Sequence, residues 1–254
     1  MQENADVEPK PLLGEVAFEE ADFHALSERL AGDRQYDDAR LATRRKFGAL
    51  GKLAIARLKA TGLALDSRTS LHTPTVFNAM RVKRIWTYLT RPKVEKTRLK
   101  RTLGADLAKD LDAAYRNAYL CMAIEGDSLE VSLRVHPEGW YDGQNLVNRT
   151  RREGLDGWVE ALNRLDGFFL RMHDWKGEWR CGSLDRLAVK EFLAFYKPGE
   201  HRMAVERRWP VPPGARGAAI GPAAPAELLT ELDRLAPLYR YMAWSEESDF
   251  LFGN

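Results

Sequence analysis

Cysteine is scarce: Cys121 and Cys181 are the only two in 254 residues, too few to staple a disulfide scaffold. Both stand in apolar, strand-like contexts, so they are expected as buried thiols of a protein from a reducing, cytoplasmic compartment. Long hydrophobic runs are missing as well. Nothing approaches the roughly 18 consecutive apolar residues of a membrane helix. The first residues, MQENADVEPKPLLGEV, hold acids and prolines where a secretory signal needs a basic start and an apolar stretch. No membrane partner is expected.

The short signatures of chemistry are also absent. Without GxxxxGK(S/T), a strand-coupled GxGxxG, GxSxG or HExxH, the chain gives no footing to nucleotide hydrolysis, dinucleotide redox chemistry, α/β-hydrolase or zincin activity. Zinc-finger spacing, an RNP-type aromatic box and a GxxG clamp are missing too. No cofactor and no resident metal are expected, and no catalytic residue can be named.

What the sequence does contain is material for a core and an uneven distribution of charge. Hydrophobic residues make up 44% of the chain and aromatics 10%, enough to fold without staples. The formal net charge is only +2. Residues 1–38 nevertheless carry eleven acids against three bases, residues 39–116 nineteen bases against five acids, and the remainder seventeen bases against twenty-one acids. Asymmetry of this size points to a polyanion partner, or to an acidic arm that neutralises a basic face.

Periodicity predicts an α+β fold, with a mainly antiparallel sheet built from hairpins and several packed helices. Residues 1–16 read as a flexible acidic leader. Helices are expected over 19–30 and over 38–60, where Leu41, Phe47, Leu50, Ala54 and Leu58 mark one face and Gly62 supplies the stop. A strand is expected over 82–89, then helical turns over 93–114 interrupted at Gly104. Tyr119 to Val135 reads as a β-hairpin around Gly126–Asp127, with Leu129, Val131, Leu133 and Val135 on one face and Glu130, Ser132, Arg134 and His136 on the other. Further on come a helix over 146–165 broken near Gly154 and Gly157, a second hairpin over 168–182, a helix over 184–196 capped by Ser183, and a strand over 203–209. The main domain is thus expected over 17–209. A Pro/Gly/Ala linker follows over 210–226, and a C-terminal helix, kinked at Pro237, with an acidic-aromatic tail over 227–254.

The basic segment is the strongest functional signal. Residues 81–101 hold nine Lys or Arg against one acid, Glu95. Lys and Arg neutralise phosphates with release of counterions, and aromatic side chains add sequence-tolerant stacking. Trp86 and Tyr88 alternate with Arg84 along the predicted strand, and Arg91, Lys93, Lys96, Arg98, Lys100 and Arg101 follow. Arg45, Lys52 and Lys59 recur every seven residues and form a ridge on the solvent side of their helix. These residues predict sequence-tolerant nucleic-acid binding through a face in residues 39–116, with the acidic leader competing for it.

Two other readings compete. An adaptor would pair the basic block with an acidic protein and dock Phe250, Leu251 and Phe252 into a partner's groove. A metal-dependent phosphodiesterase or nuclease would draw on Glu125, Asp127, Glu130, His136 and the His173–Asp174 pair. The polar stretch 136–154 is a further candidate pocket lining, with Arg149 and Arg152 as phosphate contacts.

Overall fold

The computed structural model of the protein describes residues 16–173, 177–211 and 221–252. Its strands are β1 (Asp66–Thr69), β2 (Arg84–Thr90), β3 (Tyr119–Glu125), β4 (Ser128–Val135), β5 (Phe169–Met172), β6 (Glu178–Arg180) and β7 (Met203–Pro210). They form one antiparallel sheet in the order β1-β2-β3-β4-β7-β5-β6. The helices are α1 (Glu20–His24), α2 (Asp37–Ala60), α3 (Lys93–Leu103), α4 (Trp140–Glu153), α5 (Asp156–Asn163), α6 (Arg186–Phe195) and α7 (Ala223–Met242). This is the expected α+β architecture.

The expected hairpin forms around Gly126–Asp127, pairing Tyr119 with Arg134 and Ile124 with Leu129. Leu129, Val131, Leu133 and Val135 enter the main core. α2 and α7 lie across that face of the sheet, α2 against β1 and β2 and α7 against β3 and β4. The approach of α2 depends on Gly51, where an added Cβ would stand 2.8 Å from the Thr87 methyl. The Thr87 hydroxyl donates to the Phe47 carbonyl at 3.0 Å. α2 ends as expected at Gly62, whose φ of 81° lets the Leu63 N–H reach back to the Leu58 carbonyl at 2.9 Å.

α7 is an integral part of this core. Leu228, Leu232, Leu235, Leu238 and Met242 are all buried in the same cluster as the sheet. It begins at Ala223, and β7 runs to Pro210, so the expected linker is shorter at both ends. Residues 212–220 of that linker, residues 1–15 of the leader, and Asp174 lie outside the described residues. A second apolar cluster gathers Leu99 and Leu103 of α3 with Leu111, Tyr141, Trp244 and Leu251.

Other boundaries move for local reasons. The first expected helix stops at His24. β1 was not expected, because Asp-Ser-Arg-Thr has no apolar alternation. α3 stops at Leu103, since Gly104 leaves helical space with φ 82° and ψ 166°. Gly154 separates α4 from α5, but Gly157 sits inside α5. α6 is capped by Asp185, not Ser183, through the Ala188 N–H at 2.7 Å. Both cysteines are free and buried. Among the described residues no helix is long and apolar enough to cross a membrane.

Candidate functional site

Strand alternation sends Arg84, Trp86 and Tyr88 of β2 to the sheet face opposite α2 and α7, beside Tyr119 and Cys121 of β3. Glu130, Ser132 and Arg134 of β4 continue the row, followed by Glu206 and Arg208 of β7 and Arg171 of β5. The apolar residues between them belong to the core, so the polar partners have no choice of side.

Two buried carboxylates organise this face. Glu130 is 1% exposed. It accepts from both terminal nitrogens of Arg84 at 2.9 Å, from the Ser132 hydroxyl at 2.7 Å, from Arg134 at 2.7 Å and from Arg208 at 2.8 Å. Burial alone would raise the Glu130 carboxyl, but Arg84, Arg134 and Arg208 outweigh it and hold it well below the usual carboxylate range. Glu206 accepts from Arg134 at 2.9 Å and lies 3.3 Å from Arg171 and 3.5 Å from His173. Burial opposes ionisation there too, and the His173 hydrogen bond with Arg134 and Arg208 keeps the carboxyl low. Glu125 closes the lattice, pairing with Arg84 and with Arg208 at 3.2 Å. These arginines are therefore largely balanced in place.

Above the lattice lies a recess of about 270 Å³, lined by Arg84, Trp86, Tyr88, Tyr119, Cys121 and Arg134, with Tyr115 at its edge. The Trp86 and Tyr88 rings stack at 4.8 Å and 29°, and Tyr119 meets Tyr88 edge-on at 5.9 Å. Burial pushes the Tyr119 hydroxyl up to about 12, and raises the Cys121 thiol despite the neighbouring Arg84. Both stay protonated at neutral pH, so the recess is lined by donors and aromatic faces.

A second hollow, sharing Tyr115 with the recess, lies against α3. Lys93, Lys96 and Lys100 share one side of that helix and line the hollow with Arg68 of β1, the residue paired with Tyr88. Tyr115 borders both spaces. Asp110 and Asp112 sit on the same rim, with Lys96 3.9 Å from Asp112. Lys93, Lys100 and Arg68 have no ion pair among the described residues.

The expected basic set is thus divided. Arg84, Trp86, Lys93, Lys96 and Lys100 come together around the recess and its rim. Arg98 and Arg101 are exposed on the other flank of α3, and Arg98 pairs with Glu95 at 2.8 Å and Glu246 at 3.5 Å. Arg45, Lys52 and Lys59 do form an exposed ridge, but it points away from the sheet, because Phe47, Leu50, Ala54 and Leu58 face it. Arg91 is a correction: it is buried and ion-paired with Asp142, which also accepts the Ala118 N–H at 2.6 Å and the Trp244 N–H at 2.8 Å. The sequence set lacked Arg68, Tyr115 and Tyr119; the pairing of β1 and β3 with β2 brings in Arg68 and Tyr119, and the short turn Ala114–Arg116 before β3 brings in Tyr115.

The residues of the two rival readings lie apart or are engaged elsewhere in the fold. Asp127 and His136 flank opposite ends of β4, an eight-residue strand about 27 Å long. Glu125 and Glu130 are held by arginines. Among the described residues no group of three or more His, Cys, Asp or Glu side chains is placed to hold a metal. The polar stretch after His136 binds the chain's own tail. The Asn145 side-chain oxygen accepts the Phe250 N–H at 2.8 Å, the Asn148 side-chain amide donates to the Phe250 backbone carbonyl at 2.7 Å, and Arg149 lies 4.0 Å over the Tyr241 ring. Leu251 is buried and Phe250 lies under Arg149 and Arg152, so of the three tail residues only Phe252 remains exposed.

Neither a protein-family model nor a curated protein matches the chain.

Proposed function

We propose that the protein binds single-stranded nucleic acid, with little regard to sequence, across the recess and its lysine rim. The observation that carries this reading is the Trp86–Tyr88 stack beside the side of α3 that presents Lys93, Lys96 and Lys100. An unpaired base offers a π-face that the part-exposed Trp86 ring, backed by the buried Tyr88, holds whatever its identity, and the neighbouring phosphates fall to the lysines and Arg68. A recess suits a splayed base, whereas reading a duplex groove calls for a protruding helix or ribbon. Arg84 and Arg134, fixed by Glu130, form a rigid floor for the base edge.

Because Asp110 and Asp112 offset part of the rim charge, the number of phosphates neutralised is small. Binding to labelled single-stranded DNA or RNA should show a log K versus log salt slope of about −2, the value for three phosphate contacts on a single strand. Fluorescence anisotropy of single- and double-stranded probes across salt tests this. Trp86→Ala should weaken single-strand binding about tenfold, within the range of one lost stacking contact. Lys93→Glu with Lys100→Glu should flatten the salt slope, and Lys52→Glu with Lys59→Glu on the far side should not. Equal losses from both pairs, or preference for duplex, would refute the assignment.

A further inference from the structure

Between β1 and β2 the chain leaves the sheet as a finger, residues 70–83, whose tip is apolar and fully in solvent. Val76 is 86% exposed and Phe77 is 95% exposed. Leu71 and Met80 at its sides are about half exposed. A Phe held so far from any neighbour is ordinarily a sign of a floppy loop, but this one is tightly built. The Thr75 N–H donates to the Asn78 side-chain oxygen at 2.7 Å, and the Asn78 amide donates to the Thr73 carbonyl at 2.8 Å. The Met80 N–H returns to the Thr75 carbonyl at 2.7 Å. Closing this turn puts Ala79 and Met80 at φ 53° and 59°, left-handed space that residues with a Cβ enter at a cost. The Val82 N–H then anchors the returning arm to the Ala31 carbonyl at 2.8 Å.

Both feet of the finger stand beside the recess. The Ser70 N–H donates to the Trp86 carbonyl at 2.9 Å, and the Trp86 N–H donates to the Ser70 hydroxyl at 3.1 Å. The returning arm enters β2 at Arg84, two residues before Trp86. The side of the finger toward α2, away from the recess, is basic: Arg44 donates to the Ser70 carbonyl at 2.8 Å, and Arg81 and Lys83 reach Glu28 at 2.9 and 2.7 Å, two cations on one acid.

From this we infer that Phe77, with Val76, is a second stacking platform, a wedge that takes a base of the same strand beyond the one held over Trp86 and Tyr88. Aromatic side chains on which successive bases stack are a recurrent way of holding a single strand, and a turn closed by its own hydrogen bonds presents such a platform at a reduced ordering cost on binding. An anionic membrane surface is the other chemistry that an apolar tip with basic neighbours suits. The continuity of the finger with Trp86 favours the strand, and a tip of a single turn lacks the broad apolar face of an interfacial anchor.

The inference rests on the single-strand reading, so its test uses strand length to separate the two. Oligothymidylates of 4 to 16 nucleotides, the span of known single-strand sites, are titrated against wild type, Phe77→Ala and Phe77→Trp. The expected result is that Phe77→Ala leaves the shortest binding oligomer unaffected, weakens the longest about fivefold or more, and is rescued by Phe77→Trp. Loss of that length dependence, with wild type still binding, would overturn the wedge and leave the recess standing. Failure of wild type to bind any oligomer would overturn both. If Phe77→Ala instead abolishes sedimentation with phosphatidylserine vesicles while oligomer affinity is unchanged, the tip belongs to a membrane and the wedge is wrong. Because Phe77 touches so little, unchanged thermal melting of the variant is the folding control.

Discussion

Arg84 opens β2 and Arg91 directly follows its last residue, seven positions on, yet they live under different physical rules. Arg91 is sealed in the second apolar cluster, its side chain 4% exposed against an Asp142 at 0%. It lies between the Tyr141 and Trp244 rings and donates to the Trp244 carbonyl at 3.1 Å. One pair there joins the end of β2, the start of β3, the first turn of α4 and the tail. Arg84 belongs to a lattice at the edge of solvent, where Glu130 is shared with Arg134 and Arg208. A dry one-to-one pair has no substitute when a partner is lost, whereas a shared lattice redistributes its hydrogen bonds and admits water.

That contrast can be broken most forcefully at Asp142. Asp142→Ala strands a buried guanidinium and two backbone N–H groups, and should cost about 3 to 5 kcal/mol in denaturant unfolding. A loss below about 1 kcal/mol would mean that water reaches Arg91 and the distinction is false. Glu130→Gln comes next, at about 2 kcal/mol, because its arginines are part-exposed. It also carries a pH signature. The Glu130 and Glu206 carboxyls sit below their ordinary value of 4.5 in the folded protein, so the unfolded chain binds their protons first as pH falls. Their stabilisation is complete above that value and is lost progressively below it. Glu130→Gln should therefore flatten the acid side of a stability-versus-pH profile, and an unchanged profile would show that the carboxylate is not ionised in place. The smallest effect belongs to Arg98, whose side chain is 43% exposed. Arg98→Ala should shift stability by about 0.5 kcal/mol or less, and a larger loss would place the Glu246 contact among the structural pairs.

The β3–β4 hairpin and Arg91 mark how far the sequence could be read. The β3–β4 hairpin was legible because strict alternation and a Gly-Asp turn are local signals, and its polar row of Glu130, Ser132 and Arg134 fell on the side expected. Arg91 was misread because a count of charges carries no depth. Its partner lies fifty-one residues away in a stretch that reads as surface. Tyr119 and Arg68 joined Tyr88 only through pairing on either side of β2, which no window of sequence contains. The tail is ambiguous in sequence for a related reason: Phe250 and Leu251 suit a partner's groove or the chain's own core, and Asn145 and Asn148, about a hundred residues earlier in the chain, hold them.

Strand order has a consequence for the life of the chain on the ribosome. β7 completes the second edge of β4, but sixty-seven residues separate Val135 from Met203. At ordinary synthesis rates that is a wait of about 3 to 13 seconds. Throughout it, the nascent half-sheet of β1 to β4 offers a bare, eight-residue edge, Ser128 to Val135, with aliphatic side chains on one face. Such an edge recruits any neighbouring strand. The Glu130 and Arg134 side chains on its other face, later the pillars of the lattice, are in that interval the charges that discourage a wrong partner.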